Sequence, residues 1–174
     1  REVILSGEAY FDVVKDKSAP FIVRTESGNI EVLGTEFNIK CYSDETALVT
    51  TLVNGKVKFD DGINPSVILK PEEQLIFEKE NSQSIVRKVN VNHYISWKDN
   101  RLSFQGETLD MIMKTLSRWY NVEVVFEDST LKALEFSGNL DRFTDIQEFL
   151  SLFELGVNVK FEVKNRTVYI RKGN

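Results

Sequence analysis

A single cysteine and a single histidine stand among the 174 residues, and that scarcity removes several chemistries at once. Cys41 alone cannot form an internal disulfide or a cysteine-rich metal site. It falls on the apolar side of an alternating stretch with Phe37 and Ile39, where a thiol packs as a small hydrophobe; a reactive thiol is the competing reading, with Lys40 the cation beside it. His93 has no second histidine to complete a metal pair and reads as a surface residue between domains. A basic block is missing too. Lysine and arginine number 22 against 27 acidic residues, for a net charge of -5, which excludes a counterion-releasing groove for nucleic acid. Missing as well is an apolar run long enough to span a bilayer. With 41% hydrophobic and 28% charged residues, the chain is too apolar to be disordered. The acidic pairs Asp60-Asp61 and Glu72-Glu73 sit at turn signals without the alternating spacing that wraps calcium. They read as solvated turn charges, so neither a metal nor a cofactor is expected. Arg1 to Gly7 run directly into a strand pattern, with no signal peptide, so the chain is expected to begin within a structure.

Helical periodicity is absent from the first half. Residues 1–91 alternate in short segments broken by turn chemistry at roughly 8 to 12 residue intervals, the spacing of an antiparallel β-roll or sandwich. Asp16 to Pro20, Glu26 to Asn29, Ser43 to Glu45, Asp60 to Pro65, Lys70 to Glu72 and Lys79 to Ser84 mark reversals, giving about nine strands. Phe21 with Val23, Leu75 with Phe77, and Ile85 with Val89 and Val91 are the expected inward faces. Asn54-Gly55 between two apolar runs predicts a two-residue hairpin with positive φ at both positions, placing Leu52 opposite Val57 and Thr50 opposite Phe59.

Residues 92–101 gather polar groups around Tyr94 and Trp97 and are read as a junction. Residues 102–174 then change character. Leu109, Ile112, Met113, Leu116 and Trp119 recur at helical spacing, Thr144-Asp145-Ile146-Gln147 fits a capping box, and Ile146, Phe149, Leu150 and Phe153 form a second apolar stripe closed by Gly156. The expected order is β-α-β-β-α-β-β, a small α+β domain whose two helices can cover one sheet. Its halves echo each other across Phe104 to Leu109 and Leu140 to Ile146. Trp119 lies on the core stripe, whereas Tyr120 is one residue off it and is the candidate partner-binding residue. The sequon Asn165-Arg166-Thr167 carries no weight.

Five ordered motifs resemble the FecR family of anti-sigma factors: Gly7 to Val13, Pro20 to Thr25, Val32 to Ile39, Thr50 to Val57 and Leu69 to Gln74. The second half, through Trp97, Leu102, Phe104, Leu109 and Leu116 to Tyr120, is similar to the C-terminal domain of such proteins, which resembles the secretin and TonB short N-terminal domain. The resemblance implies the periplasmic part of an inner-membrane protein. Its partners would be the signalling domain of a TonB-dependent outer-membrane transporter and, through a cytoplasmic segment not present here, an extracytoplasmic-function sigma factor. Contact with the membrane would run only through a missing transmembrane helix. The first strands of the domain are also expected to be missing, which would leave an open sheet edge.

The resemblance further implies self-cleavage between Gly34 and Thr35, the Thr35 hydroxyl attacking the Gly34 carbonyl. A threonine hydroxyl needs activation and a strained backbone for this, and no base for it can be named. The competing and favoured reading is a bend where glycine fits and Thr35 starts a strand. The expected function is therefore a sensing and signalling module rather than an enzyme. An envelope β-module binding glycan or another small ligand is the alternative, with Tyr94, Trp97 and Tyr120 as its loose candidates.

Overall fold

Ten strands precede the first helix: β1 (Glu2–Ile4), β2 (Gly7–Asp12), β3 (Phe21–Thr25), β4 (Gly28–Val32), β5 (Glu36–Cys41), β6 (Ala47–Asn54), β7 (Val57–Asp60), β8 (Val67–Leu69), β9 (Glu73–Glu78) and β10 (Gln83–Lys88). A short helix α1 (Val91–Ile95) follows. The computed structural model describes residues 1–142, 145–155 and 157–173. The chain divides into two compact units, Arg1–Ile95 and Ser96–Asn174.

The first unit holds two five-stranded sheets, ordered β1-β3-β4-β7-β8 and β10-β9-β6-β5-β2. All pairs are antiparallel except β1 with β3. Period-two alternation explains the packing, because every second residue of a strand points to the same face. Val23, Ile30, Val32, Val57, Phe59 and Leu69 come from one sheet. Phe37, Ile39, Leu48, Leu52, Leu75 and Phe77 come from the other, and all join one buried cluster. The β-sandwich expected from the strand spacing is the observed architecture.

Two expectations are corrected. Asn54-Gly55 does not close a hairpin, because β6 pairs with β5 and β9 whereas β7 pairs with β4 and β8 in the other sheet. Only Gly55, at φ 95, has the positive φ that a primed turn needs at both positions. The step carries the chain from one sheet to the other, so Leu52 and Val57 meet the same core from opposite sides. Ile85 does not face inward either. It is 52% exposed, because β10 forms the outer edge of its sheet and every residue of it is exposed.

The second unit runs β11 (Arg101–Thr108), α2 (Leu109–Tyr120), β12 (Glu123–Phe126), β13 (Glu135–Asp141), α3 (Ile146–Glu154), β14 (Val159–Lys164) and β15 (Thr167–Lys172), in the predicted order. Leu109, Ile112, Met113 and Leu116 bury the stripe of α2. Thr108 caps its start by accepting from the Met111 N–H, and Asn121 ends it in the left-handed conformation. In α3 the cap is Asp145, whose carboxylate accepts from the Gln147 N–H at 2.8 Å. Thr144 and Gly156, predicted to open and close this helix, lie outside the described residues.

The strands here form two sheets rather than one. β11 pairs with β13, and β12, β15 and β14 form the second sheet in that order. The doubled β-α-β plan accounts for this: the first strand of each half pairs with its counterpart, and the second strands share β15. Phe149, Leu150, Phe153, Val168 and Ile170 complete the core with the α2 stripe.

Candidate functional site

Three crossings between the sheets of the first unit meet at Gly34-Thr35. Residues 13–20 lead from β2 to β3, residues 33–35 from β4 to β5, and residues 55–56 from β6 to β7, each leaving one sheet for the other. Val13 and Thr35 exchange both main-chain hydrogen bonds, at 3.0 and 3.1 Å, and the Asp16 N–H donates to the Leu33 carbonyl at 2.8 Å. The Thr35 hydroxyl donates to the Lys56 carbonyl at 2.9 Å and accepts from the Lys56 N–H at 3.3 Å. It therefore staples two crossings together.

Glycine is required at this junction by space as well as by dihedral angle. Gly34 adopts φ 140, and a Cβ on it would overlap the Lys15 backbone. Thr35 is only 4% exposed. Both partners of its hydroxyl are main-chain atoms, so the base that nucleophilic attack requires is not among them. The arrangement can hold the bend. It does not by itself activate the hydroxyl.

Beside this step lies a groove of about 400 Å³, with Lys15, Lys17, Lys56 and Lys58 on its rim and Leu33 and Ile68 among its apolar lining. The four lysines come from two separate stretches of sequence. The excess of acidic residues over the whole chain conceals them, and only the convergence of crossings brings them together.

The other candidates are scattered. Cys41 is buried, its thiol donating to the Leu5 carbonyl at 3.5 Å, and burial raises its pKa away from the reactive thiolate. Tyr120 is half-buried against the core of the second unit, and its hydroxyl donates to the Arg142 carbonyl at 2.8 Å. Burial raises its pKa as well. Trp119 is outside the buried cluster, with the Arg142 guanidinium 4.8 Å over its ring. Tyr120, not Trp119, thus packs against the core. His93 is half-buried in α1. Asp60 and Asp61 accept hydrogen bonds within their own turn, and no group of three potential metal ligands occurs among the described residues. Among those residues no helix is long and apolar enough to cross a membrane.

Two family profiles match the chain: "FecR protein" over residues 1–58 and "FecR, C-terminal" over residues 101–170. No curated protein matches it. Two crystal structures of a candidate anti-sigma factor from Parabacteroides distasonis superpose on the whole chain and on 81% of their own, with TM-scores of 0.90 and 0.89 and 25% identity in each case. With both family regions in order and a closely similar fold along its full length, the chain belongs to the FecR family of anti-sigma factors.

Proposed function

We propose that this chain is the periplasmic sensing part of a transmembrane anti-sigma factor. It reads the occupied state of a TonB-dependent outer-membrane transporter through that transporter's signalling domain. The signal then controls an extracytoplasmic-function sigma factor held by a cytoplasmic segment. The observation that carries this reading is the succession of the two FecR regions, one in each compact unit.

Strand addition is a docking mode the second unit can support. The Glu123 N–H donates to the Arg166 carbonyl and the Glu127 N–H to the Ile170 carbonyl, so alternate residues of β12 face β15. Val124 and Phe126 therefore turn their main-chain groups to the free edge of the sheet. A groove of about 470 Å³, lined by Met113, Lys114 and Ser117 of α2, runs beside that edge. Tyr120, at the end of the same helix but outside that groove, is assigned to partner contact through the part of its ring that the core leaves exposed. Gly34-Thr35 we assign to the bend, with self-cleavage at that bond as the competing role.

A pull-down of the purified chain with the isolated signalling domain of the transporter tests the reading. Binding that is lost when Val124→Pro removes a main-chain donor from the β12 edge is expected. Failure of the intact chain to bind overturns the transporter reading.

A further inference from the structure

We propose that the groove beside Gly34-Thr35 is a docking site for an extended acidic peptide segment of a partner protein, seated by apolar side chains on Leu33 and Ile68. The site goes beyond the transporter reading, and either can fail without the other.

The floor is the outward face of a sheet. Glu31, Lys58 and Ile68 lie side by side across β4, β7 and β8, and Leu33 and Lys56 stand two residues further along their segments. Leu33 is 42% and Ile68 45% exposed, two large apolar side chains open to water inside a concavity. Its volume of about 400 Å³ falls within the range of ligand-holding clefts.

The rim is cationic. Lys58 has Glu31 at 3.9 Å, with both side chains more than 40% exposed, so water screens that pair heavily. Four lysines against one glutamate make a positive patch on a chain that carries -5 overall. Asp16 does not line the groove. Its carboxylate is turned into its own loop, accepting from the Ser18 N–H and hydroxyl and the Ala19 N–H. The Arg1 guanidinium holds the Ala19 carbonyl of the same loop. The wall carrying Lys15 and Lys17 is therefore ordered before anything binds, which lowers the entropic cost of docking.

The pattern selects among anions. Lys56 and Lys58 stand one two-residue step apart along the chain entering β7, roughly 6.8 Å in an extended backbone, which is the repeat of side chains on one face of an extended peptide. A small inorganic anion needs donors converging on one point, and these lysines are spread around the exposed Leu33 and Ile68 instead. A membrane surface is flat and cannot reach that floor. A nucleic acid has no apolar side chain to place there.

Fluorescence anisotropy with the labelled octapeptide Glu-Leu-Glu-Leu-Glu-Leu-Glu-Glu tests the site on the whole chain. Saturable binding that weakens with added salt is expected. The double variant Lys15→Glu/Lys56→Glu should weaken it about ten-fold or more, and Leu33→Ser or a peptide with serine for leucine should weaken it several-fold. The pair Lys160→Glu/Lys164→Glu in the second unit should leave it unchanged, and thermal melting of each variant reports that it is folded. Absence of saturable peptide binding, equal loss in the control pair, or capture by phosphatidylglycerol vesicles without peptide binding overturns the proposal. Transporter-domain binding retained in Lys15→Glu/Lys56→Glu, with peptide binding lost, separates this site from the transporter contact.

Discussion

Gly55 stands so close to Gly34 that a Cβ added to it would lie 2.7 Å from the Gly34 carbonyl oxygen and 2.8 Å from the Thr35 hydroxyl oxygen. Two crossings between sheets can pass at that distance only if one of them has no side chain. Gly55→Ala is expected to cost about 3 kcal/mol, combining the left-handed penalty with overpacking. Gly62→Ala is the control, since Gly62 also has positive φ but nothing within 4 Å of its would-be Cβ; it should cost about 1 kcal/mol. Urea denaturation of the two variants gives both values. Equal costs would mean that the dihedral angle, not the close approach, explains Gly55.

The same pair explains what could be read in the sequence and what could not. Alternation over Phe37, Ile39 and Cys41 predicts a strand from local chemistry alone, and the strand is there. The stripe of α2 is equally local. Asn54-Gly55 carries the strongest short-range hairpin signal, yet the chain crosses between sheets there, because β4 and β9 offer pairing partners distant in sequence. The primed turn lies instead at Asn165-Arg166, with φ 49 and 66 between the paired residues Lys164 and Thr167. Its arginine hides the signal and is held by its guanidinium on the Asn121 carbonyl. The lysine groove was illegible for a related reason, since no single stretch of sequence contains its rim.

Thr50 is fully buried, and its hydroxyl oxygen has no hydrogen-bond partner. It lies between Ile39 and Leu75 in register, on strands whose inner faces are otherwise apolar. Thr50→Val keeps the branched shape and removes the unsatisfied group. Stability should rise by about 1 kcal/mol, read as a higher urea midpoint at unchanged slope. A loss of stability would mean that the hydroxyl is satisfied in solution.

Asp128 is held at a pKa of about 2, below the ordinary 3.8. The Thr130 hydroxyl is the largest cause, donating at 2.6 Å, followed by the Thr130 N–H at 2.9 Å and then Lys172. A depressed carboxylate stabilises the fold above its unfolded pKa. That contribution is present above about pH 4 and lost as pH falls towards 2. Carboxyl NMR titration should give a midpoint near 2, raised more by Thr130→Val than by Lys172→Met. The reverse order would make the lysine the main cause.

Cleavage at Gly34-Thr35 requires the Thr35 oxygen to bond to the Gly34 carbonyl carbon as the C–N bond breaks and the hydroxyl proton passes to the departing nitrogen. Water must then open the ester. In the folded chain the Thr35 hydroxyl donates to the Lys56 carbonyl and accepts from its N–H, and the residue is 4% exposed. The expected result is one full-length species by intact mass after denaturation, unchanged by prior incubation of the folded chain with neutral hydroxylamine, which would cut an ester at Gly34 without the alkaline denaturing conditions that cut Asn54-Gly55. Thr35→Val should leave the mass pattern alone and cost about 1–3 kcal/mol by stranding two main-chain groups, and Thr35→Ser should recover most of that. Two fragments dividing between Gly34 and Thr35, abolished by Thr35→Val, would instead make the staple a nucleophile.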